Sequence, residues 1–233
     1  MKLAFFAVLL GSIAAFAQDA SPSPSDIGRF RKEIFKNDRV TVYEVDIPVG
    51  QFIAKHRHEH DVLAVYVSGG TTKTSTNDQA PVTNKYAVAD VRYRPAPFSH
   101  SVQNTGKEPL RIVDVEFVDA QGLQEKPPVK KSHYCNPGSK EACVTEEYLL
   151  CTPKFCAEDV TMGPGAVSSR HTHDTEHMLI GITDYKLDDD TTGKGVIHRS
   201  VKSGGVEYLP AGITHVLTNT SNSTVRFVAI IFK

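Results

Sequence analysis

Residues 168–184 read SSRHTHDTEHMLIGITD and place His171, His173 and His177 within seven residues. A neutral imidazole is the commonest protein ligand for a transition metal, so the run points to a metal site. Its meaning for the fold comes from a second observation. Moved by 115 residues, the chain matches itself: His56 falls on His171, His58 on His173 and His100 on His215. The same shift brings Gly50 onto Gly165, Pro95 onto Pro210, Asn104 onto Asn219, Tyr93 onto Tyr208, Arg111 onto Arg226 and Phe117 onto Phe232. One constant offset joining so many polar and special residues marks an internal duplication.

Within each copy, short runs alternate apolar and polar residues: RVTVYEVDI, VLAVYVSG and RIVDVEFV, then GVEYLPAG and STVRFVAIIF. Period-two alternation rich in Val, Ile, Tyr and Phe predicts strands. Turn residues separate the runs, as in NTGKEP, GPGA and NTSNS. Each copy therefore reads as an all-β antiparallel unit of about 90 residues, the size of a sandwich or jelly-roll barrel. The expected division is an N-terminal unit over 28–120, a Pro- and Lys-rich connection over 121–142 and a C-terminal unit over 143–233.

In the second copy Gly165 precedes His171-Thr172-His173 by five residues. Further on come Gly204, five residues, Pro210-Ala211-Gly212, two residues, His215, three residues and Asn219. These two patterns resemble the sequence motifs of the cupin family, and the resemblance spans both copies. It implies a bicupin, two tandem cupin-type jelly-roll β-barrels, with metal ligands from both motifs pointing into each barrel. The residues agree: successive strand side chains face opposite sides, so His171 and His173 share a face. His215 lies beyond a Pro-x-Gly turn on another strand.

Cupins that follow the full pattern place a glutamate after the second histidine, with three or four residues between. Those positions hold His177 and Met178 here, and Val62 and Leu63 in the first copy. Acids occur one residue early, Asp61 and Glu176, where strand parity turns them away from the histidines. His177, an even number of residues from both His171 and His173, is the expected fourth ligand; a histidine that orients another ligand is the other reading. His171, His173, His177 and His215 would form an all-imidazole site suited to Fe, Cu, Zn or Ni, with Mn the ion of the carboxylate-bearing branch. The first copy keeps His56, His58 and His100, with His60 and Asp61 as further candidates, but Ala89 and Pro97 replace the glycines of its second motif. The better-kept C-terminal copy is therefore the expected active one.

The chain opens with MKLAFFAVLLGSIAAFAQDA, the plan of a secretory signal peptide ending at Ala17. Residues 18–27 read as an extended leader, and the expected location is secreted or periplasmic. Cleavage removes Lys2 and no acid, taking the formal charge from −1 to −2, a balance against polyanion or anionic-membrane binding through bulk charge. Behind a signal peptide, Cys135, Cys143, Cys151 and Cys156 read as disulfides, with Cys135–Cys143 and Cys151–Cys156 preferred among three connectivities. LDDDTTGKG, residues 187–195, lacks the ligand spacing of an EF-hand and reads as a solvated turn. Asn219 and Asn222 head glycosylation sequons by pattern. No nucleophile elbow, phosphate loop or dinucleotide fingerprint occurs. The functional expectation is a metalloenzyme of oxygenase or oxidoreductase type acting on a small organic molecule. The alternative is a bicupin that binds a metal or small molecule without turnover. The resemblance also implies association through sheet edges, hence a homodimer.

Overall fold

The structure is a computed structural model that describes residues 28–128 and 131–233. The signal peptide and leader fall in residues 1–27 and lie outside the described residues. Strands are numbered in chain order. The N-terminal unit has a five-stranded sheet, β1 (Arg31–Lys36), β2 (Val40–Ile47), β9 (Leu110–Phe117), β4 (Asp61–Tyr66) and β7 (Val91–Arg94) in spatial order. Facing it is a four-stranded sheet, β3 (Phe52–His58), β8 (Phe98–Asn104), β5 (Gly70–Thr76) and β6 (Val82–Tyr86). The C-terminal unit repeats the plan. Its larger sheet runs β10 (Lys131–Cys135), β11 (Cys143–Cys151), β12 (Phe155–Met162), β19 (Val225–Phe232), β14 (His177–Gly181) and β17 (Val206–Leu209). Its smaller sheet runs β13 (His171–His173), β18 (Ile213–Asn219), β15 (Tyr185–Thr191) and β16 (Gly195–Val201). The offset of 115 carries β2, β5, β7, β8 and β9 onto β12, β15, β17, β18 and β19 with identical bounds. The two tandem jelly-roll barrels implied by the motifs are the observed fold.

The inner strands of the larger sheets are buried on both faces, and strand alternation decides which residue serves which side. On β9, Val113, Val115 and Phe117 face the other barrel, whereas Leu110 and Ile112 face the lumen of their own. On β19, Val228, Ile230 and Phe232 face the first barrel, and Val225, Phe227 and Ala229 line their own lumen. The barrels thus share one apolar core. At its centre Phe117 stacks on Phe155 with ring centroids 4.8 Å apart, and β1 reaches across to stack Phe35 on Tyr208 at 5.4 Å. Arg111 crosses the boundary too, donating to the Ser203 carbonyl at 2.7 Å.

Residues 131–135, expected within the connection, instead add the edge strand β10 to the C-terminal sheet. Ser132 and Tyr134 alternate with exposed Lys131 and His133, and Tyr134 packs on the C-terminal core. Both preferred disulfides are present, and each joins residues directly opposite across an antiparallel pair: Cys135 with Cys143 and Cys151 with Cys156. The acidic run 188–190 is not a turn but part of β15, whose turn follows at 192–194. Asn219 is buried and donates to the Met162, Gly163 and Ser223 carbonyls, and Asn104 does the same work on Ile47 and Glu108. The motif asparagine therefore ties strand ends together. In the first copy Ala89 holds φ 68°, close to the 86° of Gly204, so the altered second motif keeps its backbone path at that position.

Phe155 has no exposed surface. Phe155→Ala should lose about 3–5 kcal/mol of stability, read as a lower denaturant midpoint in both barrels together, because the residue belongs to the core they share.

Candidate metal centres

In each barrel the histidine pair leaves one strand and the third histidine stands directly opposite on its neighbour. His56 pairs in register with His100 across β3 and β8, and His171 with His215 across β13 and β18. Gly50 and Gly165, at φ 74° and 70°, turn the chain into these strands in a left-handed conformation that favours glycine. On β3 a register shift between Ile53 and His56 lets both face the lumen despite their odd spacing.

Each trio aims its ring nitrogens inward. His58 Nε2 lies 3.1 Å from His100 Nε2, which lies 3.0 Å from His56 Nε2. His171 and His215 bring their Nε2 atoms to 3.1 Å. Ligand atoms of His56, His58 and His100, and those of His171, His173 and His215, all lie within 4.8 Å of one another. Acceptors behind the rings hold the tautomer. His56 Nδ1 donates to the Ala54 carbonyl at 2.9 Å, and His171 Nδ1 to that of Ser169 at 2.8 Å. His58 Nδ1 donates to Glu116 and His215 Nδ1 to Asp189, each at 2.8 Å. In these four rings the proton is then on Nδ1 and the lone pair on Nε2. The lone pairs of His171 and His215, 3.1 Å apart, repel unless a cation lies between them. Ligands 2.1 Å from an ion at right angles sit about 3.0 Å apart, against about 3.4 Å for a tetrahedron. Both donor sets fit a transition metal.

The carboxylates behind the rings were not singled out in the sequence. Glu116 is held by Arg31 at 2.5 Å, whose guanidinium lies 3.3 Å over the Tyr43 ring. Burial alone would raise the Glu116 carboxyl, but His58 and Arg31 outweigh it and hold the group low. Asp189, fully buried, takes a 2.8 Å bond from Arg199 Nε and a 2.9 Å bond from Thr191. Against the effect of burial, His215 and Arg199 keep it well below the usual carboxylate range. Such partners orient imidazole ligands and strengthen them as donors.

The structure places His177 differently from the expected fourth ligand. It stacks on His173 with centroids 3.7 Å apart and planes inclined by 17°. A metal lies in the plane of each imidazole that binds it, and two nearly parallel, offset planes do not meet at one nearby ion. His177 is 1 % exposed and neither ring nitrogen has a hydrogen-bond partner; burial and the neighbouring histidines lower its pKa to about 3. Asp61 faces away from the trio, as parity required, accepting from Tyr93 Oη, Ala96 N and Gln121 N at 2.6–2.7 Å. Glu176 pairs with Arg39 at 3.5 Å, and His60 is exposed. His133 lies near Cys135 and Cys143, but their sulfurs are consumed in a disulfide.

The barrels differ in what surrounds the trio. A cavity of about 620 Å³ opens onto His58 and His100, walled by Tyr66, Tyr86 and Phe98. A smaller chamber of about 70 Å³ touches His56 and His100 from the other side, and Asp114 lines both. Burial pushes the Asp114 carboxyl up to about 6. In the C-terminal barrel the residues equivalent to Ala64 and Arg94 are Leu179 and Leu209, both buried in its core. The positions of Asp114 and Glu116 hold Ala229 and Ile231.

No known family description matches the sequence, and no curated protein does. Among solved structures the chain is similar to AerE from Microcystis aeruginosa, with 16% identity and a TM-score of 0.62 over 87% of this chain and 97% of that one. It is also similar to oxalate decarboxylase from Bacillus subtilis, in a structure concerned with its Mn(II) centres. That match has 12% identity and a TM-score of 0.59 over 83% of this chain and 68% of that one. These likenesses agree with the cupin-type fold. Each histidine trio could hold a metal ion, and the two disulfides are compatible with an extracellular location.

Glu116→Gln should weaken metal binding in the N-terminal barrel by about 10–100-fold, and Asp189→Asn should do so in the C-terminal one, as read by titration against a competing chelator. The metal-free protein should lose stability as pH falls below 6.5, the ordinary histidine value. Burial lowers His56, His100 (to about 2) and His177 (to about 3), so the unfolded chain takes up protons that the folded one does not. Asp114, raised from 3.8 to about 6, acts in the opposite sense but is outnumbered. Denaturant midpoints measured from pH 7 to pH 4 in the presence of chelator check the sign.

Proposed function

We propose that this chain is a secreted metal-dependent bicupin enzyme of oxidoreductase type, with the N-terminal barrel as its reaction chamber for a small organic molecule. One observation carries the reading: His58 and His100 of the trio line a cavity of about 620 Å³, within the volume range of small-molecule sites, and His56 and His100 line the smaller chamber of about 70 Å³. The C-terminal barrel has the better-kept motif, but Leu179 and Leu209 fill the space that the first barrel leaves open.

A bound ion would supply Lewis acidity or redox chemistry at the positions the imidazoles leave open. Three neutral nitrogen donors suit Fe(II), Cu(II), Zn or Ni, and Mn is the ion of the structurally similar oxalate decarboxylase. The chain's own residues supply the rest. Glu116 and Arg31 fix the His58 ring. Phe98 stacks on the same ring at 4.7 Å, closing one side of it to water. Asp114 faces the cavity with a pKa raised to about 6, the range in which a carboxyl can both take and return a proton. It is the acid–base group that distinguishes an enzyme from a simple binding protein.

For the C-terminal barrel, binding without turnover is the favoured reading, because Leu179 and Leu209 are buried at wall positions that the first barrel leaves open and His215 is buried, with only His171 and His173 partly exposed. Elemental analysis of protein purified without added metal tests both assignments. The wild type should carry two ions per chain, and His56→Ala/His58→Ala and His171→Ala/His173→Ala should each carry one. Oxygen uptake over a panel of small phenols, thiols and carboxylic acids should vanish in the first double variant and persist in the second. Turnover that survives His56→Ala/His58→Ala would sink the assignment.

A further inference from the structure

We propose that the N-terminal cavity takes a small organic acid, holding its carboxylate at the mouth with Arg94 and Arg92 while its uncharged body reaches toward the histidine trio. The inference rests on the reading of that cavity as the substrate chamber. Arg92 and Arg94 are alternate residues of β7, so they share one side of the sheet, and both line the cavity. Arg94 is held in place by a 3.0 Å bond to Thr76 Oγ1 and by its guanidinium lying 5.0 Å over the Phe98 ring. Among the described residues no carboxylate pairs with it. Arg92 is partly balanced by Asp90 at 3.4 Å.

A guanidinium fixed beside a cavity without a counter-ion presents a planar fork that matches a carboxylate. One uncompensated cation also matches a single negative charge. The inner end has the opposite character. Asp114 lines both chambers and the cation of the inner one, Arg31, is paired to Glu116, so a second acid group carried inward would meet the like charge of Asp114. The polarity is therefore cation outside and acid inside, which orients a monoacid and leaves its other end for the trio.

The second barrel shows that the fold does not require this mouth. Glu207 stands at the position of Arg92 and is consumed by Tyr185 at 2.9 Å and Arg199 at 3.2 Å. Leu209 stands at the position of Arg94 and is buried. Framework and trio are common to both copies, and only the copy with the large cavity carries the two arginines.

Calorimetric titration of the full mature protein tests this with propanoate, hexanoate and 3-phenylpropanoate, each against its own primary amide. At least one acid should bind about tenfold or more tightly than its amide, the scale of one charge-assisted bidentate contact. Arg94→Gln should abolish that preference, leaving amide affinity and metal content unchanged, and Arg94→Lys should keep part of it. Acids that bind no better than amides in all three pairs would overturn the inference, with or without a folded variant. So would an unchanged preference in Arg94→Gln. The titration does not depend on turnover. Acid preference in a protein with no metal in this barrel would sink only the enzymatic reading, and metal without acid preference would sink only this one.

Discussion

Two imidazoles from one strand and a third directly across the ladder must present lone pairs, not N–H groups, to a common point. That requirement sets the chemistry of both barrels. It is met behind the rings, where the Nδ1 protons of His56 and His171 go to backbone carbonyls two residues upstream, and those of His58 and His215 go to carboxylates. The backbone acceptors follow from the extended path of the strand itself. The carboxylates are contributed by distant strands, Glu116 from β9 and Asp189 from β15. They are buried charges that persist because arginines sit on them, Arg31 in one barrel and Arg199 in the other. Each centre is thus a layered arrangement of ring, acid and guanidinium, and loss of the outermost cation would be felt at the innermost nitrogen.

Duplication makes each barrel a control for the other. The strands superpose under a single offset, so differences between equivalent lumenal positions cannot be ascribed to the fold. Small or rim-facing residues in the first copy, Ala64 and Arg94, become buried Leu179 and Leu209 in the second. Acids on the lumenal side of β9 become Ala229 and Ile231 on β19. The carboxylate serves its histidine from different places, β9 in one copy and β15 in the other. Two of the three histidines therefore line a large cavity in the first barrel, whereas the second carries bulkier apolar side chains at the equivalent wall positions.

The duplication, the strands and both trios were legible because each is written in short-range pattern: the constant offset, period-two alternation and the HxH pair. The disulfides were legible for the same reason, since each cysteine pair is local and falls opposite in a hairpin. The partner acids were not. Asp189 sits in an acidic run that looks like a solvated turn, and only its alternation with buried Leu187 and Thr191 marks it as inward-facing. Glu116 could have been found from the same parity, since it shares a face with the apolar Leu110 and Ile112 of its own strand. The placement of His177 was not legible, because an even spacing fixes the face of a sheet but not the rotation of a ring. Nor was the difference between the two lumens. Motif completeness favoured the second copy, whereas lumen volume depends on which side chains meet across two sheets.

The closed barrel still has a part in the open one. Strands β2, β4 and β9 place apolar residues on the partner barrel and functional residues in their own lumen by strict alternation, so Asp114 and Glu116 are set by Val113, Val115 and Phe117 between and beside them. Those three pack against β12, β14 and β19, above all through Phe117 on Phe155. A residue that faces the shared core cannot shift without moving its neighbour on the lumenal side. The well-filled C-terminal barrel thus works as the rigid backing of the N-terminal lumen. Its packing is what allows the first barrel to keep a large cavity and still hold its histidines, carboxylates and mouth arginines in register.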